Sequence, residues 1–187
     1  MPILYTLVIY PTLKRIGLIE TRMSSIGFAF VTLGLMQSAM SAFGEELGWR
    51  GFASPLFTRL LGFGSGQLAL GAIWYLYHLP SLLFTEYGGS PHPVFGNLMF
   101  LVSVMALSAL LGWARQDSDS VWPSTLYHAS HNLFFFSLFY PIVPQSELAG
   151  WLVGEQGAAL AILTTAAAAA VLLVRRGVFR PKGGKKS

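Results

Sequence analysis

Six residues in this 187-residue chain combine acid–base capacity with helical spacing: the acid pair Glu45 and Glu46 with Arg50 in "GEELGWRGF", His78 in "WYLYHLP", and His128 with Asn132 in "LYHASHN". Glu46 and Arg50 are four residues apart and lie one above the other on a helix face, so they can pair. Glu45 is rotated by about 100 degrees from Glu46 and can point elsewhere. The pair therefore offers one held carboxylate and one free carboxylate, and Glu45 is the candidate general base. His128 and Asn132 share a face at the same spacing, and both can donate hydrogen bonds to an oxygen that gains negative charge. The His78 imidazole can orient a water held by Glu45 or share its proton. Hydrolysis by activated water is the chemistry such a set could perform.

The elements that must position these residues are apolar. Only 11% of the chain is charged, against roughly 25% in soluble domains. Between the charged residues lie uncharged runs at 23–44, 60–85, 87–114, 120–146 and 156–174. Each is as long as the roughly 18 residues that mark a spanning helix. A soluble body of this size could not bury all five. The predicted fold is all-α, a polytopic transmembrane bundle of about five or six helices. Turn clusters at 62–66, 88–93, 115–120 and 140–147 divide it. No fixed-period repeat or linker is present, so residues 1–187 form a single helical membrane domain.

Ionisable groups at membrane depth are costly and face a bundle interior or an aqueous cavity. Three separate runs contribute such groups here, which predicts one shared site. Each residue also has a plainer reading. Glu46 and Arg50 could be a helix-end ion pair that anchors the first run at the interface. Single histidines could be helix–helix hydrogen-bond partners. His131 reads as structural because Asn132 already supplies the partner of His128, and His92, between two prolines, reads as a solvated loop residue.

Several classes are excluded or bounded by composition. Without cysteine there is no thiolate nucleophile, disulfide or cysteine metal site. The net charge of +4 does not indicate a nucleic-acid partner, because half of the basic residues fall in the tail "RRGVFRPKGGKKS" (175–187), directly after an apolar run. That tail reads as a cytoplasmic anchor of an integral protein, most naturally of the plasma membrane, in contact with its lipids. The opening "MPILYTLVIYPTLKRIG" has its basic residues after the apolar stretch and reads as an interfacial segment or part of another helix rather than a cleaved signal.

The three motifs together resemble those of the CAAX prenyl-endopeptidase and bacteriocin-processing family, also called the Abi family. The matching residues are Glu45-Glu46-x-x-x-Arg50, Trp74-x-x-x-His78 and His128-x-x-x-Asn132, in that order, over a core of about residues 24–140. Trp74 departs from the Phe usual at that position. The resemblance implies an intramembrane endopeptidase acting on a peptide or lipidated protein. In the glutamate mechanism it implies, Glu45 activates water with His78, His128 and Asn132 hold the carbonyl oxygen, and Glu46 and Arg50 are supporting residues, with no cofactor. The alternative cofactor reading is a zinc hydrolase built on His78, His128, His131 and a glutamate, although no HExxH is present. The non-enzymatic alternative is a membrane immunity or binding protein that uses the polar cluster to hold its helices together. A transporter is disfavoured because no pair of broken helices occupies corresponding halves.

Overall fold

A computed structural model describes residues 15, 28–85, 87, 90–139 and 146–178. Most of these residues are helical, with no strand among them. In chain order the helices are α1 (Phe28–Glu46), α2 (Ser54–Leu61), α3 (Phe63–Phe84), α4 (Pro93–Ser118), α5 (Trp122–Asn132), α6 (Glu147–Leu152) and α7 (Ala158–Val178). Two wide-turn π segments join them: Leu47–Ala53 links α1 to α2, and Leu133–Phe139 extends α5.

The polar and apolar residues are arranged inside out. Glu46, Arg50, Gln67, His128, His131 and Glu155 are buried, while Met40 is 74% and Phe84 83% exposed. A water-soluble domain reverses this order. Here the exposed face of α1, carrying Leu33, Met36 and Met40, fits a hydrocarbon solvent. By length and composition, α4 is long and apolar enough to cross a membrane: it has 26 residues, a mean hydropathy of 2.2 in its most apolar window, and half of that window buried. At about 1.5 Å per residue it is nearly 40 Å long. The 22 residues of α3 have a similar reach, but Gln67, His78 and the tryptophan and tyrosine rings lower its hydropathy.

Helix α4 is the central post, against which α3, α5 and α7 pack. Glycine sets the closest approach. A Cβ at Gly71 of α3 would stand 2.7 Å from the Met105 Cα of α4, so the two backbones could not meet with a larger residue there. Ser124 of α5 donates to the Leu111 carbonyl of α4 at 2.9 Å, and Gln67 of α3 donates to Ser54 of α2 at 2.8 Å. Buried polar side chains thus join neighbouring helices where hydrophobic forces give no discrimination.

The structure corrects several expectations. The chain does not end a helix at Glu46 but continues through the π segment to Leu61, where Gly62 breaks it with φ +77. Glu46 and Arg50 are fully buried, so they are not an interfacial anchor. The fourth uncharged run is not one plain span: an 11-residue α-helix gives way to the π segment. The turn at 115–120 narrows to Asp119, in the left-handed region at φ 50, with 115–118 still helical. His92 stacks on Trp151 at 3.9 Å with its Nε2 buried, so it is not simply solvated. The N-terminal segment apart from Arg15, the 140–145 turn and the tail from 179 onward lie outside the described residues.

Candidate active site

Helix α4 supplies an apolar wall. Phe100, Val104, Leu107 and Leu111 recur at intervals of four, three and four, which places them on one helix face. Opposite them a cavity of about 150 Å³ opens, lined also by Glu45, Trp74, His78, His128, Asn132 and Glu155. That volume holds several waters. The structure therefore brings Glu45 from α1, His78 from α3, and His128 and Asn132 from α5 to one hollow.

The acid pair divides as its angular separation requires. Glu46 is fully buried, and its Oε1 accepts from Arg50 Nη1 at 3.0 Å and from His128 Nδ1 at 2.9 Å. The Arg50 guanidinium lies over the Trp74 ring at 4.4 Å, a cation–π contact. Glu45 is half-buried at the cavity, and one of its oxygens, Oε2, accepts the Trp74 indole N–H at 3.2 Å. A phenylalanine at position 74 could not make this bond.

Hydrogen bonding also sets the histidine tautomers. His78 Nδ1 is 3.0 Å from the Trp74 carbonyl, which can only accept, so Nδ1 carries a proton and Nε2 is the nitrogen open to another partner. His128 donates from Nδ1 to Glu46, leaving Nε2 as its other functional nitrogen. The rings of Tyr77, Tyr87 and Phe100 lie 5.2 to 5.9 Å from that of His78 and border it. Pro80 falls two residues beyond His78 inside α3 and removes one backbone donor there.

Two π segments border the site, one starting directly after Glu46 and the other directly after Asn132. In the first, the N–H of Ser54, where α2 begins, reaches back five residues to the Trp49 carbonyl, and Pro55 follows in the first turn of α2. Such wide turns occur frequently at functional sites. Nothing in the composition of these segments signals them.

Sequence reasoning missed Glu155, which had served only as a boundary between runs. It lies in the buried non-helical turn 153–157 between α6 and α7. Its Oε1 accepts from His131 Nε2 at 2.9 Å and its Oε2 from the Tyr87 hydroxyl at 3.3 Å. The available signal was a lone glutamate in "VGEQG" between two apolar stretches. His131, read as structural, is thus bound to a second buried carboxylate that also lines the cavity.

The zinc alternative requires three histidines and a glutamate to converge. Among the described residues no group of three or more His, Cys, Asp or Glu is disposed to hold a metal ion. Each of His78, His128 and His131 commits one ring nitrogen to a different protein partner.

An all-helical bundle with an apolar exterior and an internal hollow lined by carboxylate, imidazole and amide defines a membrane-embedded protein class with a buried polar site. The chain belongs to the Type II CAAX prenyl endopeptidase Rce1-like family, whose profile matches residues 23–134. It is 25% identical over 140 residues to CAAX prenyl protease 2 of Methanococcus maripaludis, a match covering 71% of this chain and 52% of that protein. The chain thus spans about half the length of that curated relative. No solved structure matches it significantly.

Proposed function

We propose that this chain is an intramembrane endopeptidase in which Glu45 activates water for attack on a peptide bond near the membrane surface. The observation that carries the reading is the convergence of Glu45, His78, His128 and Asn132 on one water-sized cavity whose opposite wall is apolar. Glu45, held through Oε2 by Trp74, presents its other oxygen to a water, and His78 Nε2 accepts a second hydrogen bond from the same water. The carbonyl oxygen of the substrate is held by Nε2–H of His128 and the Asn132 amide. Donation from Nε2 requires protons on both ring nitrogens, an imidazolium that the buried Glu46 carboxylate counterbalances. The wall from Phe100 to Leu111 suits an apolar or lipidated peptide end.

In the membrane we place the basic tail on the cytoplasmic side of a plasma-membrane protein, following the positive-inside tendency. The decisive assay uses purified, bilayer-reconstituted protein and prenylated and unmodified hydrophobic peptides, with products read by mass spectrometry. Cleavage of the prenylated peptide is expected. A folded protein that cleaves none of them would leave an immunity or binding role instead.

Trp74→Phe keeps a ring beneath Arg50 but removes the N–H on Glu45. The expected loss is about tenfold in kcat with KM little changed, the effect of one hydrogen bond to a charged group. Steady-state kinetics with the preferred peptide decide it, and an unchanged kcat rules the hold out. Treatment with a strong chelator should leave hydrolysis intact, whereas loss that zinc restores would establish a metal enzyme.

A further inference from the structure

The mechanism above uses one histidine–glutamate pair on α5 and leaves a second unused. His131 lies one turn beyond His128 and donates from Nε2 to Glu155 at 2.9 Å, just as His128 donates from Nδ1 to Glu46 at 2.9 Å. Both His131 and Glu155 line the cavity of Glu45. They are 6% and 4% exposed.

Three observations separate this pair from a packing contact. First, a buried ion pair is no more stabilising than a well-packed apolar pair of similar volume, so helix association alone does not call for it. Second, the backbone carrying Glu155 is non-helical and buried, an arrangement accepted at membrane depth only inside protein or beside a cavity. Gly154 at φ +85 and Gly157, where a Cβ would strike the Val153 backbone at 2.4 Å, make that turn possible. Third, Glu155 shares the cavity lining with Glu45, whereas the Arg50 guanidinium pairs with Glu46. A ring protonated on both nitrogens is the state in which His131 donates to Glu155 and still holds a second proton.

We propose that His131 is the proton donor to the leaving amine and that Glu155 is the positioning residue that holds it; this rests on the hydrolytic reading above. Glu155 takes Nε2–H, so Nδ1–H is the proton the ring can release. As Glu45 accepts one proton from water, the water oxygen bonds to the carbonyl carbon. When that tetrahedral species collapses, the C–N bond breaks and the nitrogen takes the His131 Nδ1 proton. The proton on Glu45 then returns to His131 through cavity water. One water is consumed, and an acid and an amine are formed.

The test compares a peptide with its matched depsipeptide, in which an ester replaces the scissile amide. An alkoxide departs far more readily than an amide anion, so ester cleavage depends little on a proton donor. In Glu155→Gln and His131→Gln, the ratio of peptide to ester cleavage is expected to fall by about a hundredfold or more. Both substrates are assayed in one preparation, so any loss of folded protein cancels from the ratio. Peptide and ester cleavage falling in step, or an unchanged ratio, overturns the donor role. Glu45→Gln should lose both substrates; if it keeps both, the water-activation reading fails whatever the ratio in the other variants.

Discussion

Replacing Glu45 by glutamine should cut peptide hydrolysis by about a thousandfold, within the range a positioned general base contributes. The substitution is close to isosteric, and its carbonyl oxygen can still accept the Trp74 N–H that Glu45 accepts at 3.2 Å. What it cannot do is take a proton from water. Glu45 is half-buried beside the fully buried Glu46, so glutamine removes one of two adjacent carboxylate charges. Its removal should leave the melting temperature in detergent unchanged or higher, the familiar exchange of activity for stability at a catalytic position. Kinetics and thermal unfolding on the same preparation separate the cases. Loss of turnover with an intact fold supports the base assignment, and full activity refutes it. Loss of fold and turnover together would mean that the acid pair is structural.

Arg50→Met should have the largest effect on stability. It leaves the buried Glu46 carboxylate with His128 as its one remaining partner and removes the cation over Trp74. Breaking a buried pair from one side costs about 3–5 kcal/mol. Among the described residues Glu46 Oε2 and Arg50 Nε and Nη2 have no hydrogen-bond partner, so the 3.0 Å contact carries the pair. The double variant Glu46→Gln with Arg50→Met removes both charges and should regain most of that stability. It should not regain activity, because His128 loses the carboxylate that counterbalances its imidazolium. Chemical or thermal unfolding in detergent, paired with the peptide assay, gives both results. A single variant as stable as the parent would show that the charge pair contributes little to the fold.

The apolar exterior and polar interior also bear on how a substrate reaches the site. The apolar α4 wall and the polar acid–imidazole wall face each other across one cavity. Under the proposed function, a peptide with an apolar end lays that end against α4 while its amide group meets the opposite side. The arrangement matches the membership of this chain in a family of membrane-embedded prenyl endopeptidases.

Much of the architecture was legible in the sequence because lipid imposes a coarse rule. Charge is excluded from spanning segments, so the uncharged run 60–85 coincides closely with α3, Phe63–Phe84, and the run 156–174 with most of α7. Helical geometry likewise assigns partners within a helix. The four-residue spacing of Glu46 and Arg50 predicts a pair, and they meet at 3.0 Å. The same logic puts His128 and Asn132 on one face, and both line the cavity.

Contacts between segments distant in the chain were decided by the tertiary structure alone. Composition does not tell which carboxylate meets which imidazole: Glu46 and His128 are 82 residues apart, and Glu155 reaches His131 from a turn that periodicity reads only as a boundary. The π segments after Glu46 and Asn132 were equally hidden, since neither carries a residue pattern that marks a wide turn. The sequence determined an apolar helical chain bearing an acid pair, imidazoles and an amide at helical spacing, because solvation and helix periodicity are local properties. Only the packing of α3 and α5 on α4, and of α1 on α5, decided that these groups share one hollow, because that depends on backbone approaches such as the one at Gly71, set by the whole bundle at once.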